Sequence, residues 1–457
     1  MKPVLSILIL PFLPAILWPA APAGAQEGDW TGAVATRRGN ETVRIHMQKR
    51  ADGSFEGTCD LLSQAALGLA LDTFTSPAGD SASSRPEGIE FAFRDPGAGP
   101  WSFKGEFTPR LMKGQAATPY GDGTFHLHRV VPFELSHFEP YAGWYQAADG
   151  DRSFVTLDPY GGLVVFDFPA QMSRRLLPWN RSKFITWDGT ERNDVSTSFL
   201  VDREGNVVQM LVNDPEAGDR WWKRIDADRF QQEFVTFPSG DLEMAGLLLV
   251  PSDEGTGPFP ALVVVPDEGP RTRDAEREMW IAYRLVSDGI AVLLYDKRGC
   301  GASSGRWRDQ QWDDLAEDGA AAVRFLKTRP DIDPFRIGLY GMGEGGRLAA
   351  TAADRSQDVA FLISDSAPVE RPDGVDPTGD WERLAVPALA LYGRDDTVLD
   401  AESASRRLHE MAENGKDIEI RSFEAGHGNM VARDGAVHFH GMFLDAMTGW
   451  ILEKTAR

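Results

Sequence analysis

The sequence has two cysteines in 457 residues, Cys59 and Cys300. They fall in segments of different character, so a framework of structural disulfides does not hold this chain together, and a single Cys59–Cys300 bridge is the one pairing open to it. Positive charge is also scarce. Lys and Arg number 47 against 69 Asp and Glu, a formal net charge of −22, which argues against nucleic acid and anionic membrane surfaces as partners. Beyond the N-terminus no apolar run is long enough to cross a bilayer. Between residues 27 and 228 no group of chemistry-bearing side chains stands out.

What is present begins with an export signature. Lys2 precedes an apolar run from Val4 to Trp18, and Ala23-Gly24-Ala25 supplies an A-x-A cleavage site before Gln26. Residues 1–25 are therefore expected to be a signal peptide, with Pro11, Pro14 and Pro19 breaking the run as a spanning helix. Its removal takes the formal charge to −22 − 1 = −23. The exported chain has no further transmembrane helix.

Three regions follow. Residues 26–135 read as all-β: aromatic–Gly pieces such as Asp29-Trp30-Thr31-Gly32 and Trp101-Ser102-Phe103-Lys104-Gly105 alternate with turn residues. Thr42–Met47 should be a strand and Ser76–Glu87 a loop. Residues 136–230 read as a second β-rich unit, with strands at Phe154–Leu157, Gly162–Phe168, Lys183–Trp187 and Val207–Val212 and no propeller-like period. Trp221-Trp222 there suits core or interface packing, or stacking on a carbohydrate. From about residue 231 to 457 the pattern changes. The runs Leu247–Val250, Ala261–Val265, Ala291–Tyr295, Ile337–Tyr340, Ala360–Ile363, Ala388–Tyr392 and Ile418–Phe423 are continuously apolar. Such runs predict strands buried on both faces, in a mostly parallel sheet with helices on either side. Asp314–Lys327 is the clearest helix, with Leu315, Ala322, Val323 and Leu326 on one face and Arg329-Pro330-Asp331 as its stop.

Four segments carry a family resemblance. Tyr295-Asp296-Lys297-Arg298-Gly299-Cys300-Gly301-Ala302-Ser303 has the form D-x-R-G-x-G-x-S. Asp333–Gly341 leads into the glycine-rich turn Gly341-Met342-Gly343-Glu344-Gly345-Gly346. Gly393-Arg394-Asp395-Asp396 follows a strand, and Ala425-Gly426-His427-Gly428 lies near the end. Residues 231–457 thus resemble the bacterial α/β-hydrolases related to serine aminopeptidases and exported carboxylesterases. The resemblance implies an α/β-hydrolase fold, a carboxylic ester hydrolase ancestry, a Gram-negative periplasm, and a site using a nucleophile, an acid and a histidine in that chain order. His427 corresponds to the base and Asp396 to the orienting acid, with Asp395 as the alternative.

The departures matter as much. The nucleophile position holds Gly343, and glycine can neither attack a carbonyl nor form an acyl-enzyme. The fold tolerates this, because the turn favours positive φ, which glycine adopts at little cost. The family's oxyanion segment, typically His-Gly-x-Gly-Pro, is replaced by Pro266-Asp267-Glu268-Gly269-Pro270, with two carboxylates where negative charge should be stabilised. Glu344, after the turn, is expected to point into the following helix. Only about twenty residues separate Ser366 from Val386, leaving a very short cap. Other nucleophiles are Ser303, Ser304, Ser364, Ser366, Cys300 and Glu344. His438-x-His440 and His126-x-His128 have metal-ligand spacing without supporting carboxylates or cysteines and are expected at the surface, so neither metal nor cofactor is expected. Three readings remain: an impaired hydrolase serving as a binding or scaffold protein for a small acyl ester or peptide, an active hydrolase with an unconventional nucleophile, and an engineered Ser→Gly knockout.

Overall fold

A computed structural model of the chain describes residues 27–456 except 37–38, 53, 62–65, 76–86, 96–97, 110, 131–134, 159–161, 171, 179–181, 188–194, 226–229, 253–256, 309, 370–378 and 434–435. The expected signal segment and nearly all of the Ser76–Glu87 loop lie outside the described residues.

The first β region is a closed eight-stranded barrel in sequence order: β1 (Gly28–Thr36), β2 (Gly39–Lys49), β3 (Phe55–Leu61), β4 (Ala66–Thr75), β5 (Glu87–Asp95), β6 (Gly99–Thr108), β7 (Leu111–Thr118) and β8 (Gly121–Val130). Closure pairs β1 with β8 antiparallel, which leaves no edge to template aggregation. On β6 the alternation is plain: Trp101 and Phe103 are buried while Ser102 and Lys104 are exposed. Phe91 stacks on Phe103 at 4.4 Å inside this aromatic core. His126 and His128 do not lie at the surface as expected. They are 9% and 4% exposed on β8, because both faces of that strand are covered.

The second compact unit joins another barrel to the α/β domain. Its barrel is also closed and eight-stranded: β9 (Gly143–Ala147), β10 (Arg152–Asp158), β11 (Gly162–Asp167), β12 (Met172–Pro178), β13 (Lys183–Trp187), β14 (Ser196–Val201), β15 (Val207–Asn213) and β16 (Arg220–Ile225). Trp222 is buried within it, whereas Trp221 is 47% exposed.

The α/β domain follows: β17 (Phe230–Ser239), β18 (Leu242–Pro251), β19 (Phe259–Val265), α1 (Glu276–Ser287), β20 (Ala291–Tyr295), α2 (Trp312–Leu326), β21 (Ile332–Met342), α3 (Gly343–Arg355), β22 (Phe361–Asp365), α4 (Gly379–Arg383), β23 (Ala388–Gly393), α5 (Ala401–Glu413), β24 (Ile418–Phe423), the hairpin β25 (Met430–Arg433) and β26 (Ala436–Phe439), and α6 (Gly441–Lys454). The sheet order is β17-β18-β20-β19-β21-β22-β23-β24. It is a mixed sheet: β17–β18 and β18–β20 pair antiparallel, and every later pair is parallel. The continuous apolar runs divide between its two faces. Ala261, Val263 and Val265 join the core under α2, α3 and α5, while Leu262 and Val264 join the core under α1 and α6. The second core also takes in the outer side of the second barrel. Phe154 and Phe166 each lie 4.8 Å from the ring of Tyr283 on α1, so the barrel and the α/β domain share apolar packing.

Both cysteines are free and buried, so no Cys59–Cys300 bridge forms.

Candidate active site

The parallel strands end on one side of the sheet, and loops there are the default place for a site in an open α/β fold. Strand β21 passes directly into helix α3 at Met342–Gly343. Gly343 has φ +54°, a left-handed value that costs a non-glycine residue about 1–3 kcal/mol. Two turns of backbone meet tightly here: a Cβ on Gly341 would stand 2.2 Å from the carbonyl carbon of Gly345. The glycine spacing is therefore a packing requirement of a sharp strand-to-helix turn.

Asp267, two residues past β19, reaches into that turn. Its Oδ1 accepts the Glu344 backbone N–H at 2.9 Å and, more weakly, that of Gly345 at 3.5 Å. These are free N–H groups at the start of α3, where a carboxylate is favoured. The same Oδ1 lies 2.8 Å from where a Cβ on Gly343 would stand. The carboxylate thus takes up room that a side chain at 343 would need. Only one of the two expected carboxylates does so. Glu268 points outward and is exposed, since neighbouring residues of the loop face opposite ways. Glu344 pairs with Lys297 at 3.0 Å, and the same Nζ donates to the Asp267 backbone carbonyl at 3.0 Å. Lys297 is only 3% exposed and ties the loop after β19 to the start of α3.

Asp396 and His427, the expected acid and base, come from the next loops. Asp396, after β23, accepts N–H bonds at Oδ1 from Val398 at 2.8 Å and Leu399 at 2.9 Å. Its Oδ2 sits 2.8 Å from Nδ1 of His427. With Asp396 ionised, Nδ1–H donates and Nε2 is left as the acceptor. Burial alone would raise the Asp396 pKa, but the His427 hydrogen bond and the two backbone N–H bonds hold it below its ordinary value. For His427, burial works toward a lower value. The Asp396 bond and the negative charges of Asp396, Asp365 and Asp267 outweigh it, so the imidazole pKa is raised. Asp395, the alternative acid, is exposed and carries no bond to His427.

A second, deeper set of residues holds the histidine turn. His427–Asn429 form one 3-10 turn with Gly428 at φ 66° and Asn429 at φ 55°. Asn429 donates to Asp365 Oδ1 at 2.7 Å, Gly428 N–H donates to Ser366 Oγ at 2.9 Å, and Arg277 donates to the Gly428 carbonyl at 3.2 Å. Arg277 also binds Asp365 at 2.6 Å and Tyr340 Oη at 3.0 Å. Asp365 is fully buried, so this ion pair is desolvated; both Asp365 oxygens are bonded, while Arg277 Nε has no partner among the described residues. No sequence motif marks Arg277, which lies on α1, 88 residues before Asp365. Lys297 was legible only as part of a turn motif.

The remaining candidates are occupied or enclosed. Ser303 donates to the Asp296 carbonyl and accepts from Ala245 N–H; Ser304 is bound to Glu243. Ser366, at φ 45°, holds Gly428. Ser364 is buried under α3. Burial pushes the Cys300 thiol pKa up, away from thiolate reactivity. No group of three metal-ligating side chains occurs among the described residues, and the His438 side chain lies outside them. The short cap retains α4, while residues 370–378 are outside the described residues. No described helix is long and apolar enough to cross a membrane.

Part of the chain is similar to known proteins. Residues 244–440 match the dienelactone hydrolase family. Esterase EstD of Thermotoga maritima is 31% identical over 193 residues, 40% of this chain and 43% of EstD, so the chain spans less than half of that relative's length. An uncharacterised Mycobacterium tuberculosis protein is 27% identical over 238 residues, 49% of this chain and 79% of its own. Among solved structures, the Pyrococcus furiosus esterase Pf2001 aligns with 49% of this chain and 92% of its own at 18% identity and a TM-score of 0.40. The C-terminal domain is of the α/β-hydrolase type and is similar to dienelactone hydrolases and esterases.

Proposed function

We propose that this α/β-hydrolase-type domain has lost serine-dependent acyl transfer, with Gly343 standing at the nucleophile position, and that the exported, periplasmic protein keeps the cleft beside His427 to bind a small acyl ester or peptide. One observation carries the reading. The backbone N–H after the turn, the donor an acyl hydrolase needs for its oxyanion, is taken by the protein's own Asp267 carboxylate. A missing nucleophile and an occupied oxyanion donor remove two separate requirements of acyl transfer. The Asp396–His427 pair and the Arg277–Asp365 bond hold the histidine turn in place.

The test uses the full chain with p-nitrophenyl butyrate and a fluorophosphonate probe. We expect neither turnover nor labelling, and saturable binding of short acyl esters followed by calorimetry. Turnover by the parent protein that disappears in His427→Ala would sink the reading. An engineered Ser→Gly change predicts full rescue by Gly343→Ser alone, but it leaves Asp267 in the turn without explanation.

A further inference from the structure

Trp221 plays no part in the site of the α/β domain. It lies on β16 of the second barrel with its indole 47% exposed. The next residue, Trp222, is buried in the barrel core, with the Arg220 guanidinium 4.4 Å from its ring. The backbone under Trp221 is thus already fixed, and the exposed ring can meet a ligand with little further loss of freedom.

The barrel's register places what surrounds this ring. Paired residues of antiparallel strands point to the same side, with Cβ atoms about 4.5–5.5 Å apart. Leu211 on β15 stands opposite Trp221, and Ser198 on β14 stands opposite Leu211. Lys223 lies two residues along β16 on the same face, about 7 Å from Trp221. It stands between Gln209 on β15 and Gln146 on β9, and Arg152 on β10 stands opposite Gln146. Among the described residues, Lys223, Arg152, Gln209 and Ser198 make no side-chain hydrogen bond or ion pair.

The charge of this face is a local exception. The chain carries a formal −22, yet β14, β15 and β16 contain no Asp or Glu. Carboxylates at the strand ends are committed to other groups. Asp149 and Asp151 pair with Arg220, Asp219 accepts from Asn213, and Asp202 accepts the Glu204 and Asn206 N–H groups of its own hairpin.

We propose that this face of the second barrel binds an acidic saccharide, with Trp221 as a stacking platform and Lys223 and Arg152 as partners of the sugar carboxylates. The inference goes beyond the cleft beside His427 and does not depend on it. The chemistry on the face selects the class. A pyranose ring has an apolar C–H face that lies on the electron-rich face of an indole. Its hydroxyls lie around the edge, where the Gln209 amide and the Ser198 hydroxyl can both donate and accept. A carboxylate on that edge reaches the Lys223 ammonium, which stands one step along the strand. A protein partner would need a broader apolar patch to anchor it. Val201 and Val208 are exposed three residues along from Ser198 and Leu211, but the Lys223–Gln209 row lies between them and Trp221.

The probe is trigalacturonate with the full-length protein, followed by calorimetry and by tryptophan fluorescence at low and high salt. The parent is expected to bind it saturably, and more weakly as salt rises. Maltotriose, a neutral trimer, should bind the parent more weakly and lose nothing further in Lys223→Gln. Trp221→Ala should weaken trigalacturonate binding on the order of tenfold. Lys223→Gln and Arg152→Gln should each weaken it about two- to fivefold and flatten its salt dependence. Thermal melting checks that each variant is folded. Lys223→Gln changes a solvent-exposed position, so its salt dependence carries the test even if a Trp221 variant melts early. A parent that shows no saturable binding overturns the proposal, as does affinity that Trp221→Ala leaves unchanged. Full competition by sulfate would reduce the face to a bare anion site, and triglutamate bound as tightly as trigalacturonate would reassign it to an acidic peptide; either result overturns the saccharide.

Discussion

A serine placed at position 343 should not by itself give an esterase, and the size of the shortfall follows from Asp267. The serine first meets backbone strain, about 1–3 kcal/mol at φ +54°. Its Cβ would then stand 2.8 Å from Asp267 Oδ1, closer than carbon and oxygen tolerate. If the carboxylate withdraws, its bond to the Glu344 N–H is lost, about 1.5–3 kcal/mol for a charged acceptor. If it stays, the serine is displaced and the oxyanion donor remains occupied. Loss of one such donor costs about 2.7–4 kcal/mol, or on the order of 10²–10³ in rate. The assay is the second-order labelling rate with a fluorophosphonate for Gly343→Ser, Asp267→Gly and the double variant. The double variant should label on the order of 10²–10³ faster than Gly343→Ser, and Asp267→Gly should stay silent. A single Gly343→Ser protein that labels as fast as the double would refute the argument that Asp267 blocks the turn.

Other consequences follow from the same contacts. Arg277→Met leaves Asp365 buried without its cation, a change that costs about 3–5 kcal/mol, and denaturant melts should show it. Asp365→Asn should also destabilise, because it leaves the Arg277 guanidinium without its carboxylate. The Asp396–His427 pair makes stability pH-dependent. His427 has a raised folded pKa, so its contribution is complete below its ordinary 6.5 and fades as pH rises through the folded value. Asp396 has a lowered one, so its contribution is present above 3.8 and is lost as pH falls through the folded value. Melting temperatures of the parent minus Asp396→Asn should therefore peak between those limits, and a flat difference from pH 4 to 9 would contradict the pairing. Tyr283→Ala removes an aromatic ring shared by the second barrel and the α/β domain, about 3–5 kcal/mol. The two should lose stability together, which limited proteolysis would report as simultaneous cleavage on both sides of residue 230.

Much of the α/β domain could be read from runs of apolar residues, because a strand buried on both faces leaves a continuous signal. Ala261–Val265 and Ala388–Tyr392 are such runs, and both are interior strands of the sheet. Asp396, His427 and the turn at Gly343, which the structure brings to the strand ends, stand in local motifs whose spacing reflects backbone geometry. What could not be read was orientation and long-range pairing. Asp267 and Glu268 are adjacent carboxylates, and which one enters the turn depends on the twist of a few loop residues. Asp395 and Asp396 pose the same ambiguity. Arg277 and Asp365 meet only through the packing of α1 across the strand ends, with no local pattern to announce it. Closure of both β regions into barrels was hidden for a related reason, since closure depends on first and last strands meeting.

The contact between Gly343 and Asp267 changes how the two departures relate. Read along the chain they are separate features, a glycine at 343 and a pair of carboxylates at 267 and 268. In space they exclude their own reversal. A serine at 343 collides with Asp267 in its observed place, and Asp267 can occupy that place only because residue 343 has no side chain. The carboxylate also gains something no solvent-facing position offers, a backbone N–H at the start of a thirteen-residue helix. A simple decay of the site would leave the N–H groups to water and would not require a carboxylate to be drawn from solvent to 8% exposure. His427 and Asp396 remain bonded at 2.8 Å beside it. The arrangement is therefore better described as one group exchanged for another at the same point in space, with the base left in position.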